Sequence, residues 1–256
     1  MSEAPKKRLN AVLIAGGKYH DIDFARLEIL KLLAQDDRVR VRVFEDYSNL
    51  DAIRAADFLV TYTCDVIPRL DEQEALRAWL EGGGKWYALH GTNSILRFLA
   101  NGQVDSPRWA PHFMETLGSM FIAHPPIQPY TVSVADPGHP LVKGIEPFQA
   151  DDELYLMETH GHLHVLLDTE FEGEATGFVD HAWPKARHPV FYLHPVGKGE
   201  VLYLTLGHCR GHYDMQPMME FYPVREKGSW ALPVFYELLG RGLEWVKVAS
   251  AGVAAK

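Results

Sequence analysis

Apolar positions in the first half of the chain alternate between short continuous runs and amphipathic stretches. Residues 10–17, "NAVLIAGG", form an unbroken apolar run closed by glycines, the pattern of a strand buried on both faces. Residues 23–35, "DFARLEILKLLAQ", open on Asp23 as a helix N-cap and repeat Phe24, Leu27, Leu30 and Leu33 at helical spacing. The same alternation continues. "VRVRVFE" reads as a strand, "NLDAIRAA" as a short helix, "DFLVTYTC" as a strand, "DEQEALRAWLEGGG" as a helix stopped by glycine, and "KWYALHG" as a fourth strand. Four successive βα units predict a parallel sheet with right-handed crossovers and helices on both faces. Its carboxyl ends are expected to gather His20, Cys64 and His90 on one side.

From about Gly118 the pattern changes. "FIAHPP", "PYTVSVADPGHPLVKGI", "DDELYLMETHGHLHVLLDT" and "HPVFYLHPVGKGEVLYLTLGH" are strand-like runs broken by Pro, Gly and Asp turns. They predict antiparallel strands added at the sheet edge, with "VGKGEV" as a hairpin turn. "SWALPVFYELLGRGLEWVKV" then closes the chain with an apolar helical stripe. With no internal repeat or linker, the reading is one α/β domain over 1–256, its core about 11–246 and its tail "ASAGVAAK" frayed.

Composition narrows the partner. A net charge of -9 argues against a nucleic-acid backbone, since such proteins usually carry a basic face. A small ligand is expected instead. Cys64 and Cys209 stand at neither metal nor redox spacing, so neither a disulfide scaffold nor a zinc ribbon is predicted. "AVLIAGG" is too short for a secretory signal, and no run approaches the roughly 20 apolar residues that span a bilayer. The expectation is a cytoplasmic protein with no membrane partner, and acidic α/β chains of this size often form symmetric homodimers.

Several motifs carry a family resemblance when taken in order: "GGKYH", "LHG", "FIAHPP", "DPGHPLVKGI", "DDELY", "HVLLDT" and "HPVFYLHPVGKGEVLYLTLGH". Together they resemble the ThuA-like (trehalose utilisation) proteins over roughly residues 11 to 246. The resemblance implies a class I glutamine amidotransferase-like, flavodoxin-like fold: a three-layer sandwich with a mostly parallel sheet. It also implies a bacterial setting and a link to carbohydrate metabolism, with no nucleotide cofactor.

The residues at the predicted strand ends give the chemistry to weigh. "WYALHGTNS" has the layout of a nucleophile elbow, but His90 stands where the related amidotransferases present a cysteine, which argues against thiolate glutaminase chemistry. Cys64 reads as a small buried hydrophobe. Thr92, Asn93 and Ser94 are read as a helix N-terminus whose free N–H groups hold a substrate oxygen. Glu153 in "DDELY" and His208 in "LYLTLGH" match the family's pattern and, like His90, lie where a strand meets a turn. Open parallel sheets bind ligands at such ends. Two imidazoles and a carboxylate make a common catalytic zinc shell, so His90, Glu153 and His208 are candidate ligands of a divalent metal, zinc first. The same trio suits acid–base work, and capping of turns is the plain alternative. His20, Asn93 and Tyr155 are candidates for the wall of a sugar-binding crevice. His160, His162 and His164 would share one face of a strand, but spacing alone is weak evidence for a metal and a polar exposed face is favoured. His124 and His139, each before a proline, read as turn residues.

Two functions follow. One is an enzyme acting on a sugar or an oxidised (keto-) sugar derivative, by hydrolysis, isomerisation or elimination. The other is a non-catalytic sugar-binding or accessory protein on the same fold.

Overall fold

The computed structural model describes residues 7–248. The amino-terminal and carboxy-terminal residues, including the tail read above as frayed, lie outside that range. In chain order the elements begin with β1 (Leu9–Gly17), α1 (Ile22–Leu33), β2 (Val39–Phe44), α2 (Leu50–Arg54), β3 (Phe58–Cys64), α3 (Leu70–Glu81) and β4 (Lys85–Leu89). A small pair, β5 (Arg97–Phe98) and β6 (Val104–Asp105), precedes α4 (Pro111–Leu117) and β7 (Ser119–Ala123). Then come β8 (Gln128–Val134), β9 (Phe148–Asp152), β10 (Leu156–Thr159), β11 (His164–Glu174), β12 (Ala182–Val196), β13 (Gly199–Leu204) and α5 (Pro233–Lys247).

Nine strands form one sheet in the order β2-β1-β3-β4-β13-β12-β11-β8-β9. The four strands of the first half pair in parallel, as their βα pattern predicts. One expectation needs correction. The second-half strands do not all lie at the antiparallel edge, because β13 pairs parallel with β4 in the middle of the sheet. The reason is burial. Val201, Leu202, Tyr203 and Leu204 are all fully covered, and a strand apolar on both faces is stable only with a layer on each side. From β12 onward the added strands are antiparallel.

The sheet has a core on each face, and the two-residue period of the strands sorts side chains between them. Leu13, Val60, Tyr62 and Leu204 pack with Ala25, Ile29 and Leu33 of α1 and Phe235, Leu238 and Leu239 of α5. Val12, Ile14, Leu59 and Tyr203 pack on the opposite face with Ile53 of α2, Leu76 and Leu80 of α3 and Phe113 and Leu117 of α4. Three layers result. Helix α1 starts earlier than its periodicity suggests, because Asp21 and not Asp23 accepts the N–H of Phe24, at 3.0 Å.

Two other local expectations differ. His160, His162 and His164 do not alternate on one strand, because β10 ends at Thr159 and Gly161 takes φ 68°, a turn that starts β11 only at His164. The stretch after Leu89 is not a helix N-terminus but a single 3-10 turn, His90–Asn93. Its Asn93 N–H is donated to Tyr203 and its Ser94 N–H to the carbonyl of Gly91, so neither is free for a ligand.

Candidate functional site

Since β1, β3, β4 and β13 run in parallel, the residues just past their carboxyl ends share one edge of the sheet. His20 follows β1, Cys64 ends β3, His90 follows β4 and His208 follows β13. His90 holds a left-handed backbone, φ 45°, at a cost on the order of 1–3 kcal/mol for a residue other than glycine. The surroundings hold it there. Tyr203 donates its hydroxyl to the His90 carbonyl at 2.6 Å and accepts the Asn93 N–H at 2.8 Å. Gly91 is required next in line, because a Cβ there would stand 2.7 Å from the Thr63 carbonyl.

The turn projects the His90 ring into a cluster with His20, Glu153 and His208, all four buried. One ligand atom from each lies within 4.8 Å of the others. Each imidazole is anchored on its outer nitrogen. His90 Nδ1 donates to the Thr205 carbonyl at 2.8 Å, His20 Nδ1 to the Lys18 carbonyl at 3.3 Å, and His208 Nε2 to Glu226 Oε2 at 2.7 Å. Carbonyls and carboxylates only accept, so each outer nitrogen carries the hydrogen, and whenever the ring is neutral its inner nitrogen keeps a lone pair. Those lone pairs face inward. The Nε2 atoms of His20 and His90 lie 2.8 Å apart, close enough to share one bound cation. Two nitrogens on a tetrahedral zinc stand about 3.3 Å apart at a Zn–N distance of ~2.0–2.1 Å, so a small outward shift seats an ion.

Glu153 supplies the negative charge. Its Oε2 lies 3.4 Å from His90 Nε2 and 3.8 Å from His20 Nε2, while its Oε1 lies 3.1 Å from His208 Nδ1. That last pair is close but misaligned, and the buried His208 Nδ1 has no hydrogen-bond partner. An unpartnered buried nitrogen beside a carboxylate and two further imidazole lone pairs is the arrangement a metal ligand shell provides.

In the metal-free cluster these groups polarise one another. Burial pulls His20 down to about 3, against the opposing pull of the nearby Glu153 carboxylate. Burial also pulls on His208, but the adjacent Glu153 carboxylate and the bond to Glu226 outweigh it and raise it to about 9. Burial pushes Glu153 up, while the charges of His208 and His124 and the bond from His20 hold it well below the usual carboxylate range. The result is a buried carboxylate balanced by a charged His208, with Arg210 Nη2 also 3.5 Å from Glu153.

Asp152 holds the strand ends in register. It is buried and accepts four backbone N–H groups: from Glu153 at 2.8 Å, Gly207 at 3.0 Å, His208 at 3.1 Å and Ser229 at 2.8 Å. One carboxylate thus ties the end of β9 to the end of β13, which brings Glu153 and His208 together. Glu226 adds a second tie, since it also accepts from Arg210 at 2.8 Å and Tyr222 at 2.8 Å.

Of the residues singled out in the sequence, the structure brings His90, Glu153 and His208 together and adds His20, which the sequence placed only on the crevice wall. Tyr155 lies beside them, its hydroxyl 3.3 Å from His90 Nε2. Asn93 does not line the neighbouring cavity: it is fully buried and donates to Ser119 Oγ at 2.7 Å, because the 3-10 turn rotates it inward under the sheet. Cys64 does line the cavity, but burial pushes its thiol well above the ordinary range, so it carries no thiolate at neutral pH. His160, His162 and His164 stand apart from the cluster; His160 donates its backbone N–H to the Gly118 carbonyl, and His164 pairs with Asp136 at 2.9 Å.

Sequence reasoning missed three contributors. His124, read as a turn residue, does bond the Pro125 carbonyl through Nδ1 at 2.7 Å, but its Nε2 lies 3.5 Å from Glu153 Oε1. Arg210 and Glu226 flank a loop with no motif of its own. The charge pair at its two ends was the available signal.

The architecture is that of known structures. A ThuA-like protein of Bacteroides uniformis superposes with a TM-score of 0.63 at 19% identity, covering 96% of this chain and 94% of its own. One from Parabacteroides merdae gives 0.62 at 18%, covering 98% and 93%. A β-galactosidase from Rahnella sp. R3 shares the fold over 28% of its length and 78% of this chain, with a TM-score of 0.50 and 16% identity. These likenesses define an α/β protein of the flavodoxin-like class. The chain belongs to the ThuA family, described as trehalose utilisation, whose model matches residues 11–222. Membership supports a carbohydrate-related role. No curated protein matches the sequence. Among the described residues, no helix is long and apolar enough to cross a membrane.

Proposed function

We propose that this protein is a metal-dependent enzyme acting on a sugar or keto-sugar derivative by hydrolysis, isomerisation or elimination. The observation that carries the reading is the inward convergence of three imidazole nitrogens on Glu153, with each outer nitrogen anchored. His20, His90, His208 and Glu153 would hold the ion, and zinc suits an imidazole-rich set with one carboxylate. A bound divalent ion supplies Lewis acidity toward a sugar oxygen or lowers the pKa of a bound water.

The chain's own groups then do the rest. Thr205, Lys18 and Glu226 orient the three rings through their outer nitrogens, which keeps the inner lone pairs aimed at one point. Tyr155, whose phenol burial keeps protonated, presents a hydroxyl donor beside His90. Arg210 stands at the Oε1 side of Glu153 and balances its charge, with His124 Nε2 3.5 Å from the same oxygen. Family membership supplies the sugar link, and histidines at strand ends suit chemistry more than passive binding.

Metal analysis after dialysis against zinc tests the reading. About one ion per chain in the wild type, lost in His90→Ala and in Glu153→Ala with the fold retained by circular dichroism, is the expected result. A wild-type protein that takes up no divalent metal overturns it. Zinc-loaded protein incubated with a panel of disaccharides and keto-sugars, followed by NMR, then tests catalysis: bound zinc with every sugar unchanged would leave a binding protein.

A further inference from the structure

Beside the cluster lies a cavity of about 250 Å3, with His20 and Glu153 at one end. It is smaller than the ~300–1,000 Å3 that drug-sized ligands fill, which limits its occupant to about one ring. Its walls are aromatic. Tyr19 and Phe98 meet with ring centroids 5.0 Å apart, and Phe121, Phe178 and Tyr155 continue the lining, Phe121 lying 5.6 Å from Phe178 and 4.6 Å from Tyr155. Such faces suit the C–H faces of a saturated ring, while a few polar groups at one end fix its orientation.

The polar end shows which ring chemistry fits. Arg210 is the cation lining the cavity, and it is already engaged: Nη1 on Glu226 at 2.8 Å, Nε on the Tyr19 carbonyl at 3.0 Å, and Nη2 near Glu153 at 3.5 Å. Lys18, next to Tyr19 in the chain, pairs with Asp65 at 2.9 Å. In the metal-free protein a phosphate or carboxylate entering here would meet Glu153 while Arg210 and Lys18 are already paired, and a buried unpaired anion is costly. Hydroxyl groups fare better. His124 is held by Pro125 on one nitrogen and packs edge-on against Phe178 at 4.9 Å, so its Nε2 faces the carboxylate at a fixed height. Its side chain remains 22% exposed, within reach of a ligand.

We infer that this cavity is a subsite for a single neutral polyol ring, packed against the aromatic wall of Tyr19, Phe98 and Phe178, with hydroxyls bonded to His124 and Glu153. This rests on the sugar-directed reading above and deepens it. Any second ring lies outside. Phe98 is 39% exposed at the rim, and the loop that contributes Met215 to the cavity also carries the exposed Tyr213 and Phe221, which give an outer unit apolar surface to lie on.

Saturation-transfer NMR tests the inference, with the full chain in zinc-loaded and metal-free forms. The probes are three neutral aldohexoses, glucose 6-phosphate, gluconate and maltose. At least one neutral hexose should bind, and in the metal-free form its 6-phosphate and aldonate counterparts should bind at least tenfold more weakly. Maltose should receive most of its saturation on one ring. Phe178→Ala and His124→Gln should each weaken hexose binding several-fold while zinc content stays at the wild-type value. Tighter binding of the anions to the metal-free form, equal saturation of both maltose rings, or no binding of any probe to either form would overturn the subsite. Hexose binding with no zinc uptake would keep the subsite and remove the metal reading, so the two failures are separable.

Discussion

His160, His162 and His164 sit two residues apart, whereas His20 and His90 are separated by 70. In the sequence the first group is the louder signal. In the structure the distant histidines converge and the near ones scatter. Local spacing places side chains on a common face only if the backbone stays regular, and Gly161, at φ 68°, breaks it. Parallel topology needs no such local regularity: it delivers every carboxyl-terminal turn to the same edge, whatever lies between the strands.

The comparison breaks most sharply by mutation of each group. His90→Ala, His208→Ala and Glu153→Ala should abolish zinc uptake, from about one ion per chain to background, because a shell that loses a ligand leaves its remaining groups to protons. The triple change of His160, His162 and His164 to Gln should leave the stoichiometry unchanged. Zinc lost in the triple change but kept in the single variants would show that the loud group is the ligand set.

Asp152→Ala probes the tie that makes convergence possible. It strands four buried N–H groups and should lower stability by about 3 kcal/mol or more, read as a shifted denaturant midpoint at constant slope. A loss below about 1 kcal/mol would mean the strand ends hold their register without it.

Glu226→Gln removes the charged anchor of His208 but none of the four inner ligands. Zinc affinity should fall about 10–100-fold by competition with a chelator. The same experiment repeated against pH sharpens the electrostatics. His208 is raised to about 9, so in the metal-free protein it carries a proton at neutral pH that zinc must displace. Affinity should therefore rise with pH, by roughly tenfold per unit between about pH 7 and 9, and level off above. A flat profile over that window would show that His208 is uncharged before metal binds.

The smallest effect belongs to Cys64. Its thiol is buried and held protonated, so Cys64→Ala should cost about 1 kcal/mol of stability and leave zinc content unchanged. No ammonia should be released from glutamine by either form; glutaminase activity lost in the variant would restore the thiol as a nucleophile.

Much of the fold was legible because local physics wrote it. The βα pattern of residues 9–89 foretold four strands, their direction and the edge at which His20, Cys64 and His90 emerge. The position of β13 was not legible: "VLYL" is apolar enough for a central strand, but which neighbour covers it depends on a contact with β4 more than 100 residues away. His90, Glu153 and His208 were legible as residue types at strand-to-turn junctions. His20 as their partner was not, nor was His124, whose bond to Pro125 fits the turn role while its other nitrogen faces a carboxylate from another element.

By itself, then, the sequence determined the alternation of strands and helices, the elbow at His90 with Gly91 behind it, and the absence of a thiol there. Each depends on periodicity, backbone freedom or side-chain chemistry within a few residues. Tertiary structure alone decided which imidazole nitrogen faces inward, which carboxylate balances the charge and how large a ring the cavity admits. Those are set by distances between elements that meet only when the sheet closes, and by burial that strips water from His20, Glu153 and His208 so that each becomes the others' solvent.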